Sequence, residues 1–123
     1  MIEGSVNAAY EAVVRLPVRG PAGETRQIDA VIDTGFTGFL TVPPGLVEEL
    51  GLLYLTSSQA VLANGSEETF DVYGITLLWN GRPRFVDAFV SNTTPLAGMR
   101  LLDNHRLFID VVSGGQVTIH PNQ

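Results

Sequence analysis

The chain has no cysteine, which removes disulfides, thiolate metal sites and a cysteine nucleophile at once. Basic residues are scarce too: seven, scattered, against thirteen acidic ones, for a formal net charge of −6. Nucleic-acid affinity comes largely from clustered Lys and Arg, so no nucleic-acid partner is expected. No apolar run approaches the roughly 18 residues that a bilayer span needs, so no membrane segment is expected either. The opening, Met1-Ile2-Glu3-Gly4-Ser5, lacks both a basic n-region and an apolar h-region, and the default expectation is a cytoplasmic location. Histidine occurs only at His105 and His120, without cysteine or a spaced acidic helix beside it, so neither a metal nor any other cofactor is expected. Gly114-Gly115 lacks the following Lys-Ser/Thr of a phosphate loop, and neither Ser57 nor Ser58 lies in Gly-x-Ser-x-Gly.

What is present is a globular composition, 45% hydrophobic and 16% charged over 123 residues. That length suits one domain, residues 1–123, burying roughly two thirds of the unfolded chain's surface. The dominant pattern has period two. Tyr10, Ala12, Val14, Leu16 and Val18 alternate with Glu11, Arg15 and Arg19, then Gly20-Pro21-Ala22-Gly23 turns the chain into a second alternating run, Thr25 to Ile32. After Phe39 to Val42, the pair Pro43-Pro44 opens a brief helix with Leu46, Val47 and Leu50 inward and Gly51 as its cap. Further strands are expected at Ser58–Ala63, Thr69–Trp79, Arg84–Val90, Leu107–Val112 and Val117–His120. Asn64-Gly65 and Asn80-Gly81 serve as tight two-residue turns, and Gly98 to Asn104 is long enough for about two helical turns.

The most telling residues are Asp33-Thr34-Gly35, directly behind the apolar Ala30-Val31-Ile32 and directly before Phe36-Thr37-Gly38. A carboxylate is thereby presented at the end of a buried strand. The stretch resembles the active-site loop of retropepsin-like, single-lobe aspartic proteases, in particular small prokaryotic members with Phe after the Gly. The resemblance extends along the chain. Such proteins carry Asp-Thr-Gly after an N-terminal hairpin, a hairpin flap roughly thirty residues later, and an apolar-apolar-Gly element beyond it. Here these correspond to Asp33-Thr34-Gly35, a hairpin tipped by Asn64-Gly65, and Leu96-Ala97-Gly98. The implied fold is all-β: a small closed acid-protease-like β-barrel lobe with one or two short helices, assembled as a two-fold homodimer.

The resemblance implies roles. Asp33 is the catalytic carboxylate, Thr34 bonds across the two-fold to the partner loop, and Gly35 keeps the backbone slim. Phe36, Val61, Leu62, Ala63, Asn64 and Gly65 form flap and subsites over an extended, apolar-rich peptide, while Leu96, Ala97 and Gly98 support the loop. The acidic residue and Arg that viral members pair are replaced by Thr37 and Met99. Phe36 cannot offer the hydroxyl that pepsin-like relatives bring to the Asp, and sets an apolar ring beside the carboxylate instead. Peptide hydrolysis by this route needs one carboxylate to deprotonate water and another to protonate the amide carbonyl. Asp29, Asp71, Asp87, Asp103 and Asp110 are not followed by Thr-Gly or Ser-Gly, so the second carboxyl is expected from a second chain. The expectation is a homodimeric aspartic endopeptidase. The alternative is a catalytically idle dimerisation or peptide-binding module of the same fold.

Overall fold

The computed structural model describes residues 1–61 and 64–122. Among these residues ten strands and one helix follow the order β1 (Ile2–Val6), β2 (Ala12–Arg19), β3 (Thr25–Ile32), β4 (Leu40–Val42), α1 (Pro44–Leu50), β5 (Leu53–Val61), β6 (Glu67–Trp79), β7 (Arg82–Val90), β8 (Leu96–Ala97), β9 (His105–Ile109) and β10 (Gln116–Pro121). The strands lie in one sheet, ordered β5-β6-β7-β4-β8-β3-β2-β1-β10-β9, with β6 also paired to β2. That extra pairing, Val18 opposite Leu77 and Arg19 opposite Thr76, makes β2, β3, β8, β4, β7 and β6 a ring of hydrogen-bonded neighbours.

Alternation places the core inside this ring. Val14, Leu16 and Val18 of β2, Ile28 and Ala30 of β3, and Ile75 and Leu77 of β6 are all buried, and their neighbours in sequence face outward. The β2–β3 hairpin runs in unbroken register from Val13 opposite Val31 to Arg19 opposite Thr25. On its outer face Arg15 pairs Asp29 at 2.9 Å, and the guanidinium hydrogen bond holds the Asp29 carboxyl below its ordinary range. Both side chains are exposed, so the pair adds little stability, present above the unfolded carboxyl's range and lost as pH falls through the folded one. Helix α1 starts where Pro43 and Pro44 allow and ends at Gly51, whose left-handed backbone (φ 58°, ψ 46°) turns the chain so that Leu52 N–H reaches Val47 O at 3.1 Å. Among the described residues no helix is long and apolar enough to cross a membrane.

Four local expectations are corrected. Gly98 to Asn104 is a run of turns, not a helix: Leu101, Leu102 and His105 donate to carbonyls three residues back, at 3.0–3.1 Å. The run is tied to the sheet by Arg84, which donates to Leu101 O at 2.9 Å and lies over the rings of Phe39 and Trp79. Tyr10 does not begin β2. It sits at φ 60° in a turn organised by Asn7, whose Oδ1 accepts the N–H groups of Ala9 and Glu11. The hairpin at Asn64-Gly65 does not have the register of a two-residue turn, since Val61 pairs with Glu67 rather than Glu68. Strand β9 stops at Ile109 rather than Val112, because the backbone of residues 112–115 bonds to Asp110 and Val6 instead. One strand was not expected: Ile2–Val6 lies between β2 and β10 with Ile2 and Val6 buried.

Leu40 is fully buried where β4 meets both β7 and β8. Leu40→Ala should lower unfolding free energy by about 2–5 kcal/mol in denaturant titrations, through lost transfer energy and the cavity left behind. Leu53→Ala, at a site 59% exposed, should change it by less than about 0.5 kcal/mol.

Candidate active site

Asp33 follows the last residue of β3 and is held from three directions. Its N–H donates to Ala97 O at 2.9 Å, its carbonyl accepts Phe36 N–H at 3.1 Å, and its Oδ1 accepts Gly35 N–H at 2.9 Å. The last contact is the local turn that Asp makes with a backbone N–H two residues on. It occupies one carboxylate oxygen. Oδ2 has no hydrogen-bond partner among the described residues, and the half-buried side chain lines a cleft of about 560 Å3.

The anchor for this loop is β8. Its two residues sit between β3 and β4, Val31 and Ile32 running parallel to Leu96 and Ala97, with Leu40 antiparallel to Ala97. Leu96 N–H donates at 2.8 Å to the hydroxyl of Thr41, a buried polar side chain. Beyond β8 the chain crosses the Asp33 loop: Gly98 N–H donates to Phe39 O at 2.9 Å and Met99 N–H to Phe36 O at 2.8 Å. Contact here is so close that a Cβ on Gly98 would stand 2.2 Å from Gly38 O and 2.6 Å from the Phe36 ring. Only glycine fits without movement of the loop. The Phe36 ring is turned toward Gly38 and Gly98, and meets Phe89 edge-on at 5.9 Å between centroids.

Of the residues singled out in the sequence, Asp33, Gly35, Phe36, Val61 and Leu96 share the cleft. Ala97 and Gly98 lie behind the loop. Thr34 faces elsewhere, into a separate groove with Tyr10 and Val111, and its exposed hydroxyl has no partner among the described residues. Asn64 and Gly65 form the tip of the β5–β6 hairpin, where Asn64 Oδ1 accepts from Ser66 N–H (3.0 Å) and Ser66 Oγ (2.6 Å), while the expected Leu62 and Ala63 contributions lie outside the described residues.

Two wall residues were missed, Phe70 and Phe89, which stack at 6.3 Å on neighbouring strands β6 and β7. The only sign of them was an apolar residue at an alternating position, which most strands supply. Arg100 also lines the cleft. The two histidines are elsewhere. His105 Nε2 accepts from the Trp79 indole at 3.0 Å and its Nδ1 faces Asp103 O at 2.8 Å, a packing link between β6 and β9, and His120 meets the Phe108 ring edge-on. Among the described residues no three His, Asp or Glu side chains gather in a way that could hold a metal.

A short strand threaded between β3 and β4, with an Asp-Thr-Gly loop closed over it, defines a single lobe of acid-protease type. Comparison with solved structures agrees: the chain has the retropepsin-like fold. It is similar to a retropepsin-like aspartic protease from Rickettsia conorii over 99% of this chain and 91% of that one, with a TM-score of 0.54 at 12% identity. The protease of simian foamy virus (mac) is similar over 68% of this chain and 86% of its own, with a TM-score of 0.48 at 21% identity. The sequence matches no protein-family model and no curated protein sequence.

Gly98→Ala should lower stability by about 1–3 kcal/mol or more in chemical denaturation, because backbone rather than a flexible side chain blocks the new methyl. Gly45→Ala, where an added Cβ meets nothing within 4 Å in α1, should raise it by about 0.5–1 kcal/mol.

Proposed function

We propose that the chain is an aspartic endopeptidase that works as a homodimer, with the Asp33 carboxyls of two copies sharing one proton across a two-fold axis. The observation that carries this reading is the Asp33 carboxylate itself. One oxygen is fixed by Gly35 N–H, the other has no partner among the described residues, and both belong to a side chain on the wall of a cleft large enough for an extended peptide. In the dimer one carboxyl takes a proton from the attacking water while the other gives its proton to the amide oxygen, generating a tetrahedral intermediate. Collapse of that intermediate, with a proton passed to the leaving nitrogen, separates the peptide and returns the pair to its singly protonated state.

Phe36, Phe70, Phe89, Val61 and Leu96 give the cleft an apolar lining, so apolar side chains in the substrate are favoured. The β5–β6 hairpin, with Val61 on the cleft and Asn64-Gly65 at its tip, supplies the flap, bonding an extended peptide by its backbone as strand addition does. Thr34 holds the two loops together, and its hydroxyl, without a partner among the described residues, is the group offered to the partner. The compartment proposed for this activity is the cytoplasm.

Asp33→Asn preserves size but removes both the shared proton and the base, so peptide cleavage should stop while peptide binding, read by fluorescence anisotropy, persists. Cleavage by purified Asp33→Asn protein at the original rate would remove Asp33 from the chemistry and leave a peptide-binding module. Thr34→Ala should weaken dimerisation by about 1–3 kcal/mol, lowering activity most at low protein concentration.

A further inference from the structure

The cleft beside Asp33 is apolar for most of its lining, but it carries two ionisable groups, Asp33 and Arg100. Arg100 also lines a neighbouring groove of about 370 Å3 with Thr37, Met99 and Asp103, so it forms part of the wall of both. Backbone fixes where its side chain starts. Arg100 N–H donates to Gly38 O at 3.2 Å, Met99 N–H before it donates to Phe36 O at 2.8 Å, and Leu101 after it is fully buried. The exposed guanidinium therefore extends from a fixed point beside the Asp33 loop.

Cations are few in this chain, and most of those placed near other groups are committed. All seven are arginines. Arg15 pairs with Asp29, Arg26 pairs with Glu49, and Arg84 is held by Leu101 O and the rings of Phe39 and Trp79. The Arg100 guanidinium makes no ion pair and no hydrogen bond among the described residues, Asp33 and Asp103 included. A guanidinium presents five N–H donors in a planar fork that matches a carboxylate. The formal net charge of −6 repels an acidic ligand from the molecule as a whole. Among the described residues, Arg100 is the one group on the cleft wall that attracts it.

We infer that Arg100 is a specificity residue: it takes a substrate carboxylate, from an Asp or Glu side chain or from a peptide C-terminus, while apolar side chains fill the rest of the cleft. The inference rests on the peptidase reading and deepens it by naming a second element of the substrate. Charge also sets the register. An anionic side chain next to the cleaved bond would face the Asp33 carboxylate and be repelled. Arg100 makes no ion pair with Asp33, so the two charges occupy separate parts of the wall, and the carboxylate is held away from the cleaved bond.

The test uses N-acetylated, C-amidated decapeptides with Leu-Phe at the centre, Ser and Ala elsewhere, and a single Glu, Gln or Lys moved along the outer positions. Relative kcat/KM is measured for the unaltered chain, Arg100→Gln, Arg100→Glu and, as a distant control, Arg82→Gln at the start of β7. Fluorescence anisotropy gives Kd for the same peptides. At one outer position, or two adjacent ones, the unaltered chain and Arg82→Gln should favour Glu over Gln by about 10-fold. Arg100→Gln should bring that ratio close to one, and Arg100→Glu should turn the preference toward Lys. A peptide shortened to end at that position, as free acid or amide, separates the two sources: a gain for the acid without one for internal Glu assigns the carboxylate to a chain end. In the unaltered chain the ratio should also fall several-fold between about 50 and 500 mM NaCl, a reading that needs no variant to fold. Peptides cleaved equally well with Glu and Gln at every position, with no gain from a free C-terminus, overturn the inference and leave the peptidase reading standing. A Glu preference that survives Arg100→Gln overturns it as well. Peptides bound with the Arg100-dependent preference yet never cleaved overturn the peptidase reading and keep Arg100 as the selecting residue. Peptides neither bound nor cleaved overturn both.

Discussion

Everything near Asp33 depends on how closely two stretches of backbone can approach. Residues 96–99 pass between β3 and β4 and then across the Asp33 loop, with hydrogen bonds to Asp33, Phe36 and Phe39. That passage exists because Gly98 has no side chain where Gly38 O and the Phe36 ring stand. A side chain there would push the loop outward, and the carboxylate with it. The buried hydroxyl of Thr41, accepting from Leu96, fixes the same crossing from the other side. Placement of a carboxylate by packed backbone leaves little to order when a ligand arrives.

The loop divides the molecule's surface chemistry. On one side Asp33 faces a cleft walled by aromatic rings that pack against one another, Phe36 on Phe89 and Phe89 on Phe70. On the other, Thr34 faces a groove rimmed by exposed valines on a tightly bonded segment. The two faces meet at adjacent residues, Thr34 on one and Asp33 on the other.

The parts of this arrangement that were legible in the sequence are those set by local chemistry. The bounds of β3, Thr25–Ile32, follow from alternation and a Gly-Pro turn. The helix Pro44–Leu50 follows from its prolines and Gly51, and the turn at Asn80-Gly81 from two residues that tolerate positive φ, here 52° and 78°. Asp33, Phe36 and Leu96 were likewise readable, because the ordered signature that contains them is local at each point. What escaped depends on distant partners. Gly98 to Asn104 is long enough for about two helical turns, yet Arg84 and the crossing at Gly98 hold it as turns. Val111 and Val112 continue an apolar alternation, but Val6 captures the backbone just beyond them and ends the strand. Phe70 and Phe89 become cleft walls only because β6 and β7 pair in a register that sets them side by side.

The central claim is that one catalytic unit contains two Asp33 carboxyls from two chains. Its most direct test is a mixing series in which unaltered chain and Asp33→Asn chain are equilibrated together at constant total concentration and peptide hydrolysis is followed. If each active site needs both carboxyls, the rate should follow the square of the unaltered fraction, reaching about a quarter of its full value in an equal mixture. A linear decline, to about half in the equal mixture, would show that a single chain's Asp33 suffices and would contradict the shared pair.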